Sequence, residues 1–203
     1  MKGYGILKGL GVTLKHLFDT YTEDIKAGKD RYFTEGGIRQ RMTSDTKGIF
    51  TVQYPEERLL QAEAFRYVPF LVYDEGENGE QIVRCTACGI CSKVCPTQCI
   101  WIERAEDPET GKPLKTPEEF AIDIDLCMNC GFCAEYCPFD AIKMDHDFEL
   151  AGYERFEANI HRKERLLKPA SYYASIRPHT YALEQKAKEE AAAAKAARRG
   201  NRP

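Results

Sequence analysis

Apolar side chains recur at helical spacing in the first part of the chain. Drawn at about 100° per residue, six of them share an arc of roughly 120°: Ile6, Leu7, Leu10, Leu14, Leu17 and Phe18. Lys8 and Lys15 lie on the other side. The pattern predicts an amphipathic helix over residues 1–18, which lies on an anionic membrane surface, docks on a membrane subunit or packs on the protein's own core. Glycines weaken such a helix by ~1 kcal/mol each relative to alanine, which favours a helix that a partner surface stabilises.

The next two segments lack a clear period. Residues 19–48 are polar and charged with few apolar positions, which predicts a loop or a polar insertion that a partner orders. Residues 49–80 alternate short apolar runs with turn signals, and we interpret them as an extended docking segment interrupted by Pro55 and Pro69. A turn is expected at residues 75–80, which carry two glycines.

Short apolar runs in the second half of the chain predict strands. Four runs have the expected composition, at residues 81–84, 100–104, 120–124 and 142–144. The acidic stretch 103–119 contains three prolines, so we expect a surface excursion there. Residues 146–203 form a C-terminal extension, whose last part is rich in Ala, Lys and Glu and predicts a solvated helix.

Composition narrows the class of protein. The chain has 203 residues, of which 43% are hydrophobic and 30% charged, as in a folded globular protein. Its 29 Lys and Arg against 32 Asp and Glu give a net charge of −3, so we do not expect a nucleic-acid partner. No apolar stretch approaches the ~20 residues that span a bilayer. Lys8 and Lys15 interrupt the N-terminal apolar run, so we expect no secretion signal and a reducing, bacterial cytoplasmic setting, where clustered thiols bind metals.

The nine cysteines are clustered and repeated. All of them lie between Cys85 and Cys137, and two lines of sequence superimpose at an offset of 42: CTACGICSKVCPTQCI from Cys85 and CMNCGFCAEYCPFDAI from Cys127. Each line has the spacing C-x2-C-x2-C-x3-C-P. This spacing is typical of bacterial two-cluster ferredoxins, in which the fourth cysteine of each run binds the cluster of the other run.

The spacing assigns eight ligands to two [4Fe–4S] clusters. Cluster A is expected to take Cys85, Cys88, Cys91 and Cys137, and cluster B to take Cys127, Cys130, Cys133 and Cys95. A helix is expected to start near Gly89 and another near Gly131, and the proline after each run ends it. Structural zinc usually takes two separated ligand pairs, and an odd number of cysteines excludes complete disulfide pairing. Residues 81–145 are therefore interpreted as a two-[4Fe–4S] domain.

The other candidate residues are expected to have structural or surface roles rather than to bind a cofactor or catalyse a reaction. Cys99 stands where the second line has Ala141, so we interpret it as a small core residue. Lys93 is expected at a solvated helix position, and the four histidines at surface or packing positions. No Gly-rich phosphate loop is present, so we expect no direct binding of NADH or flavin and no catalytic residues beyond the electron relay.

Motifs outside the cysteine runs resemble a known family. TVQYPEER, Thr51 to Arg58, and RYVPFLVYDEGENGEQIVRCTAC, from Arg66, resemble the ferredoxin-like two-[4Fe–4S] subunit of respiratory complex I, the NADH–quinone oxidoreductase. The helix at residues 10–18 and the segment 147–167 are also similar to that family. Residues 19–48 and the tail beyond about residue 171 look additional to it.

The resemblance implies a fold and a role. The fold is α+β, with a ferredoxin-like pseudo-twofold core, an N-terminal amphipathic helix and long flanking extensions. The role is electron relay through two [4Fe–4S] clusters toward the quinone, as one subunit of a proton-pumping enzyme at the junction of its peripheral and membrane arms. Residues 4–18 are then expected on the membrane surface, at the cytoplasmic face of a bacterial membrane, with other complex I subunits as partners. An equivalent subunit of a membrane-bound hydrogenase or ferredoxin-fed complex, and a soluble ferredoxin-type carrier, are the alternatives.

Overall fold

The N-terminal part of the chain is mainly helical and contains two buried arginines. The computed structural model describes residues 3–43, 46–76, 78–154 and 156–200, and the chain divides into two compact units, Met1–Ala62 and Glu63–Pro203. The first unit contains α1 (Tyr4–Ala27), α2 (Asp30–Phe33) and α3 (Glu35–Arg41). No residue of α1 is buried, and its apolar stripe is open to solvent, with Leu10 62% exposed. Among the described residues, no helix combines the length and apolar character needed to cross a bilayer.

The helical part of this unit is longer than the pattern predicts. α1 continues past residue 18 and ends only where Gly28 takes a φ of 52°, and the expected loop at 19–48 contains α2 and α3. The loop interpretation of residues 19–48 was wrong because buried polar side chains, rather than apolar side chains at helical spacing, stabilise α2 and α3. Arg31 and Arg41 are 8% and 3% exposed and donate hydrogen bonds to backbone carbonyls farther along the segment. Residues 50–54, expected to be extended, form no strand.

The second unit is built on two small sheets. Its strands are β1 (Pro69–Glu75), β2 (Gln81–Val83), β3 (Ile100–Glu106), β4 (Pro113–Asp123), β5 (Ile142–Met144), β6 (Ile160–Arg162) and β7 (Leu167–Pro169). One sheet has the order β2-β1-β5, with β7 parallel to β1, and the other has the order β3-β4-β6. Its helices are α4 (Ile90–Val94), α5 (Phe132–Glu135), α6 (Lys163–Leu166), α7 (Ala170–Ile176) and α8 (Pro178–Gly200). This combination of helices and mostly antiparallel sheets confirms the expected α+β class.

The sequence predicts the positions of the short strands better than it predicts the effects of the prolines. Strands are confirmed at 81–84 and 142–144, within a residue at each end. Pro69 begins β1 instead of interrupting the segment, because the first residue of a strand can lack a backbone donor. The excursion at 103–119 is a hairpin of β3 and β4, with register shifts on both sides of Arg104.

Part of the C-terminal extension belongs to the core. β6 pairs with β4, β7 pairs with β1, and Leu166 between them is 1% exposed. Leu166 packs in the same apolar cluster as the buried cysteines. Tyr173 on α7 is 1% exposed and packs with Phe70 and Val72 of β1. Pattern reasoning missed this arrangement because three-residue strands carry too little periodicity to detect.

Candidate iron–sulfur site

Two glycines start the helices that follow the cysteine loops. α4 begins after Gly89 and α5 begins after Gly131, and these residues have φ of 75° and 82°. Only glycine adopts this left-handed backbone without strain, so each loop can turn sharply into its helix. The helix starts expected from the sequence are thus confirmed at both positions.

Among the described residues, four that are not glycine take left-handed backbone conformations, and the internal repeat relates them in pairs. Ala87 and Asn129 have φ of 51° and 53°, and Gln98 and Asp140 have φ of 53° and 51°. The left-handed region costs a residue with a Cβ roughly 1–2 kcal/mol, and such residues concentrate at functional sites. Asn and Asp are the types that signal such turns, whereas the alanine and the glutamine gave no signal in the sequence.

The cysteines line two separate cavities. The first is lined by Cys85, Cys88, Cys91 and Cys137 together with apolar side chains that include Leu71, Ile102, Phe120 and Ile142. The second is lined by Cys127, Cys130, Cys133 and Cys95 together with Cys99, Ile100 and Met144. Three cysteines of each run therefore share a cavity with the fourth cysteine of the other run. These are the two groups that the spacing predicts, and their role as ligands stays a prediction.

The chemistry of the thiols fits a cluster better than a free-thiol site. Burial raises the pKa of Cys91 to about 12, with the neighbouring Cys85 adding to the effect, and burial also raises the pKa of Cys133. Thiolates at Cys91 and Cys133 therefore need a positive partner, which iron would supply when bound. The Ala141 N–H donates to Cys137 Sγ at 3.4 Å, and all nine cysteines are free of disulfides. Within the described ranges, no three His, Cys, Asp or Glu side chains are placed to hold a single metal ion.

The ninth cysteine occupies the small buried position that the repeat indicates. Cys99 is 1% exposed and its repeat partner Ala141 is 2% exposed, which confirms the expected packing. Cys99 Sγ lies 3.5 Å from Cys95 Sγ, and Cys99 lines the second cavity. Lys93 is exposed, as expected, and His161 is a buried packing residue at 4% exposure.

Two arginines that sequence reasoning missed contact the cysteine loops. Arg66 donates from Nη1 to the Cys130 carbonyl at 3.1 Å, and Arg104 donates from Nη2 to the Ala87 carbonyl at 2.9 Å. Neither arginine lies in a cysteine run, and isolated arginines carry no pattern that indicates their partners.

Comparisons with known proteins agree with this geometry. The sequence model of the 4Fe-4S dicluster domain family matches residues 84–141. NADH-quinone oxidoreductase subunit I 2 of Geobacter metallireducens is 41% identical over 162 residues, which cover 80% of this chain and 95% of that relative. Subunit I 1 of Geobacter sulfurreducens is 42% identical with the same coverage. Subunit I 2 of Koribacter versatilis is 36% identical over 194 residues, 90% of this chain and 98% of the relative.

These findings fix the class of cofactor and the role. Two [4Fe–4S] clusters are the cofactors, and the chain is an electron-relay subunit of an oxidoreductase complex whose other subunits are its partners. The relatives carry the name of the NADH-dependent complex, which favours it over the hydrogenase and soluble-carrier alternatives. The chain belongs to the subunit I family of NADH-quinone oxidoreductase, respiratory complex I.

Proposed function

We propose that the eight repeated cysteines bind the two clusters in crossed sets. Cluster A takes Cys85, Cys88, Cys91 and Cys137, and cluster B takes Cys127, Cys130, Cys133 and Cys95. The observation that carries this proposal is the lining of the two cavities, since each holds three thiols of one run and the fourth thiol of the other. Crossed sets also tie the two runs into one unit, so neither half can be displaced without disturbing both clusters.

The clusters supply one-electron transfer when bound, and the chain's own residues create the environment for it. Leu71 and Phe120, each 1% exposed, line the first cavity and exclude water from it. The Ala141 N–H donates to the sulfur of Cys137 and so stabilises the negative charge of a thiolate. Burial and such donors are among the features that set a cluster's reduction potential.

The same proposal includes a place in the complex. The exposed apolar stripe of α1, with Lys8 and Lys15 on its other side and no acidic residue before Asp19, suits the surface of an anionic membrane. We place residues 4–18 on that surface, at the cytoplasmic face of a bacterial membrane. The cluster-bearing unit then lies where the peripheral and membrane arms meet, and it passes electrons toward the quinone site.

The ligand sets are tested by matched substitutions in the complex isolated from membranes. Cys137→Ala and Cys88→Ala are expected to remove the same EPR signal, and Cys95→Ala and Cys130→Ala the other signal. Iron analysis is expected to find about eight irons per unmodified chain. The crossed assignment fails if Cys137→Ala removes the signal that Cys130→Ala removes.

The membrane placement is tested by one charge on either side of α1. Leu14→Glu puts the charge on the apolar stripe, and His16→Glu puts it on the opposite side of the same turn. We expect Leu14→Glu to move the subunit from the membrane fraction to the soluble fraction, because a buried carboxylate opposes insertion of the stripe. His16→Glu is expected to stay with the membranes. Equal behaviour of the two variants would argue against the placement.

A further inference from the structure

Arg66 holds the loop that carries Cys130. Its Nη1 donates to the Cys130 carbonyl at 3.1 Å, and its Nη2 lies 2.6 Å from Glu135 Oε1 on α5. The guanidinium also covers Gly131, where an added Cβ would lie 2.9 Å from Nη1. One side chain from outside the repeat thus contacts the loop, the glycine turn and the helix beside the second cavity.

Arg104 contacts the other cysteine loop. Its Nη2 donates to the carbonyl of Ala87 at 2.9 Å, and Ala87 is the left-handed residue directly before Cys88. The register between β3 and β4 shifts on both sides of Arg104. Such irregularities re-aim a side chain away from its ordinary place on the sheet.

The internal repeat does not explain why each cysteine loop accepts a hydrogen bond from an arginine. At the offset of 42 that relates the two runs, Arg66 corresponds to Pro108 and Arg104 corresponds to His146. The accepting carbonyls, by contrast, are almost equivalent, because Ala87 corresponds to Asn129, the residue before Cys130. Two arginines from unrelated parts of the chain therefore donate to nearly equivalent carbonyls of the two loops, so the repeat itself is not the origin of these contacts.

A positive charge at these positions affects the reduction potential of a nearby cluster in addition to holding the cysteine loop in place. Reduction adds an electron to a cluster, so a nearby positive charge favours the reduced form and raises the reduction potential. Glu135 opposes the charge of Arg66. Both side chains are about half exposed, 46% and 48%, so solvent weakens but does not remove their effects.

We propose that Arg66 and Arg104 are positioning residues that each hold one cysteine loop and raise the reduction potential of the cluster bound there. Arg66 acts on cluster B, with Glu135 as the opposing charge, and Arg104 acts on cluster A. The assignment of each arginine to a cluster rests on the ligand sets of the proposed function.

The test is an EPR-monitored redox titration of the isolated complex. Arg66→Gln is expected to lower the potential of cluster B and leave that of cluster A in place, and Arg104→Gln is expected to do the reverse. Glu135→Gln is expected to raise the potential of cluster B, because it removes the opposing charge. Arg66→Lys keeps the charge and is expected to restore most of the potential.

A merely structural role predicts a different pattern. Loss of packing would not shift the cluster B potential in opposite directions for Arg66→Gln and Glu135→Gln, so shifts of the same sign, or none, overturn the proposal. If Arg66→Gln fails to assemble, Arg66→Lys and Glu135→Gln carry the test, with a raised potential in the latter as the required result. The signals are assigned beforehand with Cys88→Ala and Cys130→Ala, so an error in the ligand sets appears there and not as a missing shift.

Discussion

Lys143 Nζ lies 2.7 Å from Glu184 Oε1, and this ion pair joins β5 of the core to helix α8. The same lysine lies 2.9 Å from Asp140, and the Tyr173 hydroxyl donates to the same oxygen of Glu184 at 2.7 Å. The Lys143 side chain is only 11% exposed, so the pair is largely shielded from solvent. The C-terminal helices are therefore bonded to the strand that follows the second cysteine run.

Removing the charge of Glu184 tests this connection. Glu184→Gln leaves Asp140 as the only carboxylate that pairs with Lys143 in the described contacts, and we expect the free energy of unfolding to fall by about 1–3 kcal/mol, as for other hydrogen bonds to charged groups. The measurement is chemical denaturation of the full chain followed by circular dichroism. Glu189→Gln, at an exposed position of the same helix, is the control and is expected to change stability little. Equal losses in the two variants would contradict the role given to the pair.

The pH dependence of stability is expected to contain a contribution from His161. Burial, with Arg165 and Lys168 nearby, lowers the pKa of His161 to about 4, and Asp147 opposes the shift. The unfolded chain therefore binds a proton at His161 near pH 6.5, whereas the folded chain does not. Stability from this group is nearly complete above about pH 7.5 and falls as the pH drops toward 4, by about 1.5 kcal/mol between pH 6.5 and pH 5.

His161→Gln removes this titration and provides the comparison. Its free energy of unfolding is expected to fall less steeply than that of the unmodified chain over the same pH range. Denaturation curves at a series of pH values measure both slopes. If the free energies of unfolding of the two proteins fall equally steeply with decreasing pH, the His161 imidazole does not stay neutral in the folded chain.

The two loop glycines provide a matched pair of substitutions. Gly89→Ala and Gly131→Ala both place a Cβ on left-handed backbone, at a cost of about 1 kcal/mol. At Gly89 nothing lies within 4 Å of the new atom, whereas at Gly131 it would displace Arg66. Gly131→Ala is thus expected to cost about 1 kcal/mol more, the typical value of the hydrogen bond that Arg66 loses.

A double-mutant cycle identifies the source of that difference. In an Arg66→Ala background, Gly131→Ala and Gly89→Ala are expected to have similar effects on the free energy of unfolding. A difference that persists without Arg66 would show that the displacement is not its cause.

Cys99→Ala is expected to leave both clusters in place. The repeat already has alanine at the corresponding position, and the lost sulfur removes only a small apolar contact worth about 1 kcal/mol. EPR spectra of the reduced complex are expected to keep both signals, as are those of Cys99→Ser. Loss of one signal would instead assign Cys99, which lines the second cavity, a part in binding the cluster.

Arg41 is expected to hold the helices α2 and α3. It donates two hydrogen bonds to the Glu57 carboxylate, at 2.6 and 2.7 Å, and its guanidinium lies 4.8 Å from the centre of the Tyr32 ring. Arg41→Ala is expected to abolish hydrogen-exchange protection in both helices, because their apolar contacts are few. Arg39→Ala, at an exposed position of α3, is the control that is expected to keep protection. Unchanged exchange in Arg41→Ala would argue against this role.

Local chemistry explains which parts of the fold could be predicted. The two cysteine runs contain their own turn glycines and terminating prolines, so the loops, the helix starts and the grouping of thiols follow from spacing. The predicted bounds of β5 are correct because Ile142 and Met144 alternate with Lys143, the pattern of a strand, and the segment pairs with β1. The position of Cys99 also followed, since the repeat itself compares it with Ala141.

The features that could not be predicted depend on contacts between distant residues. Arg66 meets Cys130 across 64 positions, and nothing near Arg66 indicates its partner. The helices between residues 30 and 41 depend on buried arginines, which resemble surface residues in a sequence. β6 and β7 are each three residues long and become strands only because β4 and β1 offer open edges.

The late position of β6 and β7 sets an order of events during synthesis. Both strands follow Cys137, the last cysteine, by more than twenty residues, yet they complete the two sheets. All eight repeated thiols therefore leave the ribosome before either sheet can close. Leu166, which lies between β6 and β7, packs in the apolar cluster that contains the buried cysteines. The core around the thiols is therefore incomplete until residues well beyond the last cysteine have been made.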